Sequence, residues 1–250
     1  MIRPRVIPIL LLQDGGLVKG EKFKKHEYVG DPINAVKIFN DSYADEISLL
    51  DIDCTANNRE PNYALIKEVA SEAFMPMSYG GGLNKIEQVR KILHSGVEKV
   101  IFNTSAFQNR DLITQTAREF GSSSTVVSID VKGSLFGGKK VFVANGKKAT
   151  GQDPVSFARK MEALGAGEVI LTAIDKEGTM SGYDTDLIRQ VAAAVNIPVI
   201  ANGGAGKLSH FKEAFQAGAA AAAAGSMFVF VGSIKGVLIN YPTEEQLNSI

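Results

Sequence analysis

Short apolar runs rich in Ile and Val recur along the chain, at 5–12, 46–52, 75–79, 98–102, 125–130, 168–173, 197–202 and 220–225. Each is followed by a polar or glycine-bearing turn and then a stretch whose apolar positions fall three and four apart, as at 86–95, 153–164, 184–195 and 208–217. Runs this short predict buried strands, and the longer spacing predicts amphipathic helices. Strand and helix alternate eight times at about 31 residues per unit, which predicts a parallel sheet closed into a (β/α)8 TIM barrel occupying 1–250 as one domain. A doubly wound sheet would need edges, and the first strand is not followed by a Gly-x-Gly-x-x-Gly turn.

An internal repeat sharpens this. Tyr79-Gly80-Gly81-Gly82, a helix, His94-Ser95-Gly96, a strand and Asn103-Thr104 are echoed by Asn202-Gly203-Gly204-Ala205, a helix, Gln216-Ala217-Gly218, a strand and Gly225-Ser226, with seven residues from Gly96 to Asn103 and from Gly218 to Gly225. The fifth strand, ending in Asp130, echoes the first, so the barrel is expected to be two duplicated half-barrels.

Composition narrows the function. With 27 Lys+Arg against 27 Asp+Glu the net charge is zero, so no global field draws the chain to nucleic acid or an anionic membrane. Cys54 is the lone cysteine and the three histidines are scattered, which leaves neither a disulfide nor a zinc-type cluster; no metal and no cofactor is expected. No run reaches the length of a membrane span, the opening apolar run lacks a cleavage pattern, and a cytoplasmic location is expected.

Side chains alternate along a strand, so Arg5, Ile7, Ile9 and Leu11 face one side, the barrel interior, over about 20 Å. If Leu11 faces the C-terminal mouth, Arg5 faces the floor, and the same parity brings Glu46, Lys99 and Glu168 there. Two acids and two bases would form a ring, since four inward charges are costly to bury unless they pair. A salt-bridge cluster closing the bottom is the plain structural reading. At the mouth, Gly80-Gly81-Gly82 with Asn103-Thr104 would make one phosphate cradle, and Gly203-Gly204 with Gly225-Ser226, helped by Gly178-Thr179, another. A ligand phosphorylated at both ends, or two phosphorylated ligands, is implied.

Val18-Lys19-Gly20, Gly30-Asp31-Pro32, Leu50-Asp51-Ile52, Gly80-Gly81-Gly82, Asn103-Thr104, Ser128-Ile129-Asp130, the 178–184 stretch Gly-Thr-Met-Ser-Gly-Tyr-Asp and Gly203-Gly204-Ala205-Gly206-Lys207 fall in the order and spacing of the HisF family, the cyclase subunits of imidazole glycerol phosphate synthase. The chain resembles that family over nearly its whole length. The resemblance implies a HisH-type glutaminase partner, ammonia passing through the barrel, and a bis-phosphorylated substrate at the mouth that becomes imidazole glycerol phosphate and an aminoimidazole carboxamide ribotide. It also implies that Arg5, Glu46, Lys99 and Glu168 form the ammonia gate, with Glu98 beside it at the interface, and that Lys19 contacts substrate.

Cyclase chemistry needs a general acid and a general base on opposite sides of the substrate. Family members use two aspartates; one matches Asp130, and the other position is Leu11, which cannot transfer a proton. Lys176-Glu177-Gly178 also departs from the family's Arg-Asp-Gly while keeping both charges. The opening stretch resembles HisF paralogues of surface-polysaccharide pathways, which implies ammonia supply to a third enzyme that installs an amidino group on a sugar. Three functions stay open: such an ammonia-conducting subunit, weak or silent as a cyclase; an authentic cyclase in which Asp14, a shifted water or the substrate covers the missing role; and a non-catalytic scaffold that binds a phosphometabolite. The related isomerase HisA would leave the floor ring without a use.

Among other features, Lys19, Lys22, Lys24 and Lys25 are expected in a long loop that could close over phosphate as a lid. Asp51 reads as structural. His26, His94 and His210 read as surface residues, and the segment 133–146 reads as an inserted β-hairpin.

Overall fold

The computed structural model describes residues 3–133, 137–232 and 234–250. Eight parallel strands close on themselves: β1 (Arg5–Gln13), β2 (Ile47–Asp51), β3 (Met77–Gly80), β4 (Lys99–Phe102), β5 (Thr125–Gly133), β6 (Glu168–Ala173), β7 (Val199–Asn202) and β8 (Ala221–Ala224). β8 pairs back onto β1 and β5 pairs β6, so the ladder has no free edge. Odd and even positions then part company. Leu10, Leu12, Leu49, Tyr79 and Val127 pack outward against the helices, while Ile7, Ile9, Ile101, Val126, Ile170 and Ile200 fill the interior with Ala221 and Ala223.

Helices Pro32–Asp41, Tyr63–Glu72, Ile86–Leu93, Asp111–Phe120, Pro154–Ala163, Thr185–Ala192 and Leu208–Gln216 cover the outside. The Gly30-Asp31-Pro32 motif is a helix start: Asp31 accepts from the Asn34 N–H at 2.9 Å with Pro32 in the first turn, and Asp153-Pro154 repeats the device on the Ser156 N–H at 2.9 Å. Asp184 caps its helix in the same way. The duplication is written in the backbone as well. Asn103 (φ −121°, ψ −81°) and Gly225 (φ −110°, ψ −74°) share a conformation, and the Gly81-Gly82 and Gly203-Gly204 pairs all have positive φ.

Two expectations change. The segment after β1 is an ordered antiparallel ribbon, Gly16–Glu21 with Lys24–Gly30, rather than a loop. After β8, the described residues hold a short 3-10 turn (Ser226–Phe228), a small exposed ribbon and the helix Glu244–Asn248 in place of an eighth long helix. The insertion after β5 is a hairpin, with Lys139–Val143 pairing back onto β5; residues 134–136 lie outside the described residues.

Candidate functional site

At the floor the four parity-matched charges meet. Lys99 Nζ donates to Glu46 at 3.0 and 3.1 Å and to Glu168 at 3.1 Å, and the Arg5 guanidinium spans the same two carboxylates from the other side. Both acids are buried. Burial raises the Glu46 carboxyl above its ordinary value, and Lys99 and Arg5 hold that rise back. Glu98 is exposed beside the ring. On the same end of the barrel, in the turns that lead into β2 and β3, Tyr43 and Phe74 stand 88% and 89% exposed. Asn40 ties those turns together by donating to the Glu72 carbonyl and accepting from the Phe74 N–H.

Above the ring lies the apolar interior, and above that an open cavity at the C-terminal strand ends. Leu11, Lys19, Gly81, Gly82, Asn103, Thr104, Asp130 and Gly225 line it together with Glu177 and His26. Gly178, Thr179, Gly203, Gly204 and Ser226 are not among the lining residues; Gly178 packs against Gly20, and Gly204 against Gly182. Ser226 is buried and its hydroxyl finds no partner. Two glycines stand where a side chain would meet a near neighbour, and Gly81 also has a positive φ. A side chain at Gly81 would run into the Asp51 carbonyl, and one at Gly225 would run into Lys19 Nζ.

Leu11 and Asp130 face this cavity from β1 and β5. Asp130 is 7% exposed and takes hydrogen bonds from Asn103 Nδ2 at 3.1 Å and Ser128 Oγ at 3.2 Å. Both donors are neutral, so burial dominates and pushes its carboxyl up to about 7. Lys19 lies on the ribbon strand Gly16–Glu21, 2% exposed, and donates to the Ile9 carbonyl. Burial pulls its amine down to about 8, against the attraction of Glu177. Lys19 is thus a fixed wall residue and not part of a mobile lid, while Lys22, Lys24 and Lys25 are exposed. Asp14 occupies the turn before the ribbon, exposed, with Arg59 at 3.7 Å, and does not line the cavity.

Two hairpins roof the mouth. Asn145 Nδ2 donates to the Ile52 carbonyl at 2.6 Å, the Ala144 N–H to Thr104 Oγ1 at 3.1 Å, and the Lys22 N–H to the Glu177 carbonyl at 2.9 Å. Asp51 is structural: Oδ1 accepts the Asp53 and Cys54 N–H groups at 3.0 Å and Oδ2 the Cys54 thiol at 3.1 Å. Burial pushes that thiol up to about 12, which removes Cys54 as a nucleophile. His26 faces the cavity rather than solvent, and burial with Lys19 nearby lowers its value. His210 is buried too, with Nδ1 accepting the Gly206 N–H at 3.1 Å; His94 is exposed. Among the described residues no group of three His, Cys, Asp or Glu side chains could hold a metal ion, and no helix is long and apolar enough to cross a membrane.

A family profile described as histidine biosynthesis protein matches residues 5–235. Over 249 residues, 99% of each chain, the sequence is 48% identical to a Pseudomonas aeruginosa protein provisionally named imidazole glycerol phosphate synthase subunit hisF2. It is 48% identical over 248 residues, 98% of this chain and 95% of the relative, to a Vibrio vulnificus protein provisionally named subunit hisF3 of the same synthase. The imidazole glycerol phosphate synthase subunit HisF of Alkaliphilus metalliredigens is 43% identical over 229 residues, 91% of each chain. On this profile match and these near full-length identities, the barrel with its charged floor and glycine-lined mouth belongs to the histidine biosynthesis protein family, among the HisF subunits.

Proposed function

We propose that this chain is the ammonia-accepting subunit of a glutamine amidotransferase pair. A HisH-type glutaminase docks on the floor, ammonia passes the ring of Arg5, Glu46, Lys99 and Glu168, crosses the apolar interior, and emerges beside a phosphorylated ligand. The exposed Tyr43 and Phe74 supply aromatic anchors around the ring for that partner. Lys19, the Gly81-Gly82 turn with Asn103 and Thr104, and Gly225 provide the anion-binding groups. Gly178-Thr179 and Gly203-Gly204 hold the backbone behind the second of these.

The observation that carries the functional assignment is Leu11 facing Asp130 across the mouth. One proton carrier remains where cyclisation needs two, so the barrel keeps its conduit and its ligand site with little cyclase activity of its own. Delivered ammonia then serves a third enzyme that forms an amidino group on a sugar of a surface polysaccharide.

The test is turnover of the bis-phosphorylated ribulosyl precursor with ammonium salt. Wild type is expected to be nearly silent, and Leu11→Asp to raise the rate by about a hundredfold, the contribution of one placed acid or base. Wild-type turnover equal to that of an ordinary HisF cyclase would reject the proposal. The cyclase alternative in which Asp14 substitutes has lost its residue to the turn. His26 is the group that would keep a cyclase alternative alive, and wild-type turnover abolished by His26→Gln would favour it.

A further inference from the structure

The two hairpins over the mouth carry charge unlike the rest of the chain. Residues 131–152 hold Lys132, Lys139, Lys140, Lys147 and Lys148 and no Asp or Glu. The ribbon 16–30 adds Lys19, Lys22, Lys24 and Lys25 against Glu21 and Glu27. The net charge of the whole chain is zero, so everything outside these two segments is acidic on balance. The lysines also converge. Phe23 at the ribbon tip lies against Gly146 in the turn of the second hairpin, which brings 22–25 and 147–148 together. Lys22, Lys24, Lys25, Lys147 and Lys148 are exposed, and none of them lines the cavity.

This charge repels itself. Lys132 and Lys140 stand opposite each other in register where the hairpin leaves β5, a placement of like charges that opposes strand pairing. Lys139 finds Asp184, but Lys22, Lys24, Lys25, Lys140, Lys147 and Lys148 have no carboxylate within 4.0 Å among the described residues. Anions brought from outside would relieve the repulsion. A lone phosphate is too small an answer, because the lysines sit on two separate tips above the cavity that would enclose it. Nucleic acid would need free rings on which bases stack. Phe23 is occupied by Gly146, Phe142 has Lys132 Nζ 5.9 Å from its ring centre, and the exposed Tyr28 packs over Gly16 at the base of the ribbon. A broad face of carboxylates is the complement that fits.

We infer that the tips of the two hairpins form the docking surface for an acidic protein, the enzyme that consumes the ammonia. The inference rests on the reading above that ammonia leaves by the mouth for another enzyme. The second tip is held over that outlet by Asn145 on the Ile52 carbonyl and by the Ala144 N–H on Thr104. A partner seated on the lysines therefore covers the outlet and receives ammonia before it reaches bulk water. Attraction between unlike patches orients that partner as it approaches.

The test uses the full chain, isotopically labelled, with a short oligoglutamate as probe. Saturable amide shift changes are expected at 22–25 and 147–148 at low salt, fading as salt is added. Lys147→Glu with Lys148→Glu is expected to weaken binding about tenfold, and Lys22→Glu with Lys24→Glu to do the same should the first pair not fold. Lys160→Glu with Lys212→Glu makes the same charge change at two exposed helix positions and should leave the affinity within about twofold. Shift changes spread over other lysines, a control pair as damaging as the tip pair, or tighter binding of an oligonucleotide of equal charge would each overturn the surface. In the source cells the tip pair should lower amidino-sugar content several-fold and the control pair should leave it unchanged; equal content in both would overturn the choice of partner. Absence of amidino sugar from the parent cells would instead reject the reading above together with the partner named here, and the peptide titration would still decide the surface.

Discussion

The two ends of the barrel bury charge in opposite ways. At the floor every charged group meets two of opposite sign: Arg5 and Lys99 each span Glu46 and Glu168. At the mouth Asp130 meets the amide of Asn103 and the hydroxyl of Ser128, and Lys19 meets a backbone carbonyl. The floor balances its ions, whereas the mouth leaves an acid and an amine to be shifted by burial toward neutrality. Paired charge makes a fixed structure; unpaired charge makes a site that titrates near physiological pH and waits for a ligand.

The contrast is open to breakage, beginning at Asp130. Its carboxyl is raised from 3.8 to about 7 in the fold, so between those values the unfolded chain has released a proton that the folded chain keeps. Stability should therefore fall as pH rises through that window, by roughly 4 kcal/mol from this group, and Asp130→Asn should flatten that part of the profile. Urea unfolding at stepped pH measures it; parallel profiles for the two proteins would erase the contrast.

Lys99→Met removes one cation from the floor and leaves two buried carboxylates to Arg5 alone. A loss of about 3 kcal/mol is expected in the same unfolding assay. Lys19→Met should act with the opposite sign. Below about 8 the folded chain holds a buried ammonium, and stability rises between about 8 and 10.5 as the unfolded chain retains the proton longer. Removing the amine should therefore stabilise the protein at neutral pH by about 2 kcal/mol while weakening its hold on phosphate. The smallest effect is expected at Asp14. Being exposed in a turn, Asp14→Ala should stay within about 0.5 kcal/mol of wild type and leave precursor turnover unchanged, which a cyclase relying on it could not do.

The barrel was legible because strands buried on both faces read as continuous Ile and Val runs, and because period-two alternation carries side-chain direction from one end of a strand to the other. That logic put Arg5, Glu46, Lys99 and Glu168 on one level without any contact being known. It did not reach the ribbon after β1, whose Lys24–Gly30 strand is mostly exposed and shows no apolar alternation. The signal was present in the turns. Asp14-Gly15 and Lys22-Phe23 all take positive φ, and an Asp-Gly pair is a strong two-residue hairpin marker. Reading that ribbon as a loop also hid His26, which it carries to the cavity. His210 was misjudged because a helix face is set by what lies beneath it; here the turn before the helix presents the Gly206 N–H to its ring.

The floor ring has a further consequence for how the duplicated halves stay together. Arg5, Glu46 and Lys99 come from the first four strands and Glu168 from the second four. An amino-terminal fragment would therefore present two cations to a single anion, and the complementary fragment a lone glutamate in the matching slot. Split between β4 and β5, the chain would carry its own electrostatic latch for reassembly, one that added salt should loosen.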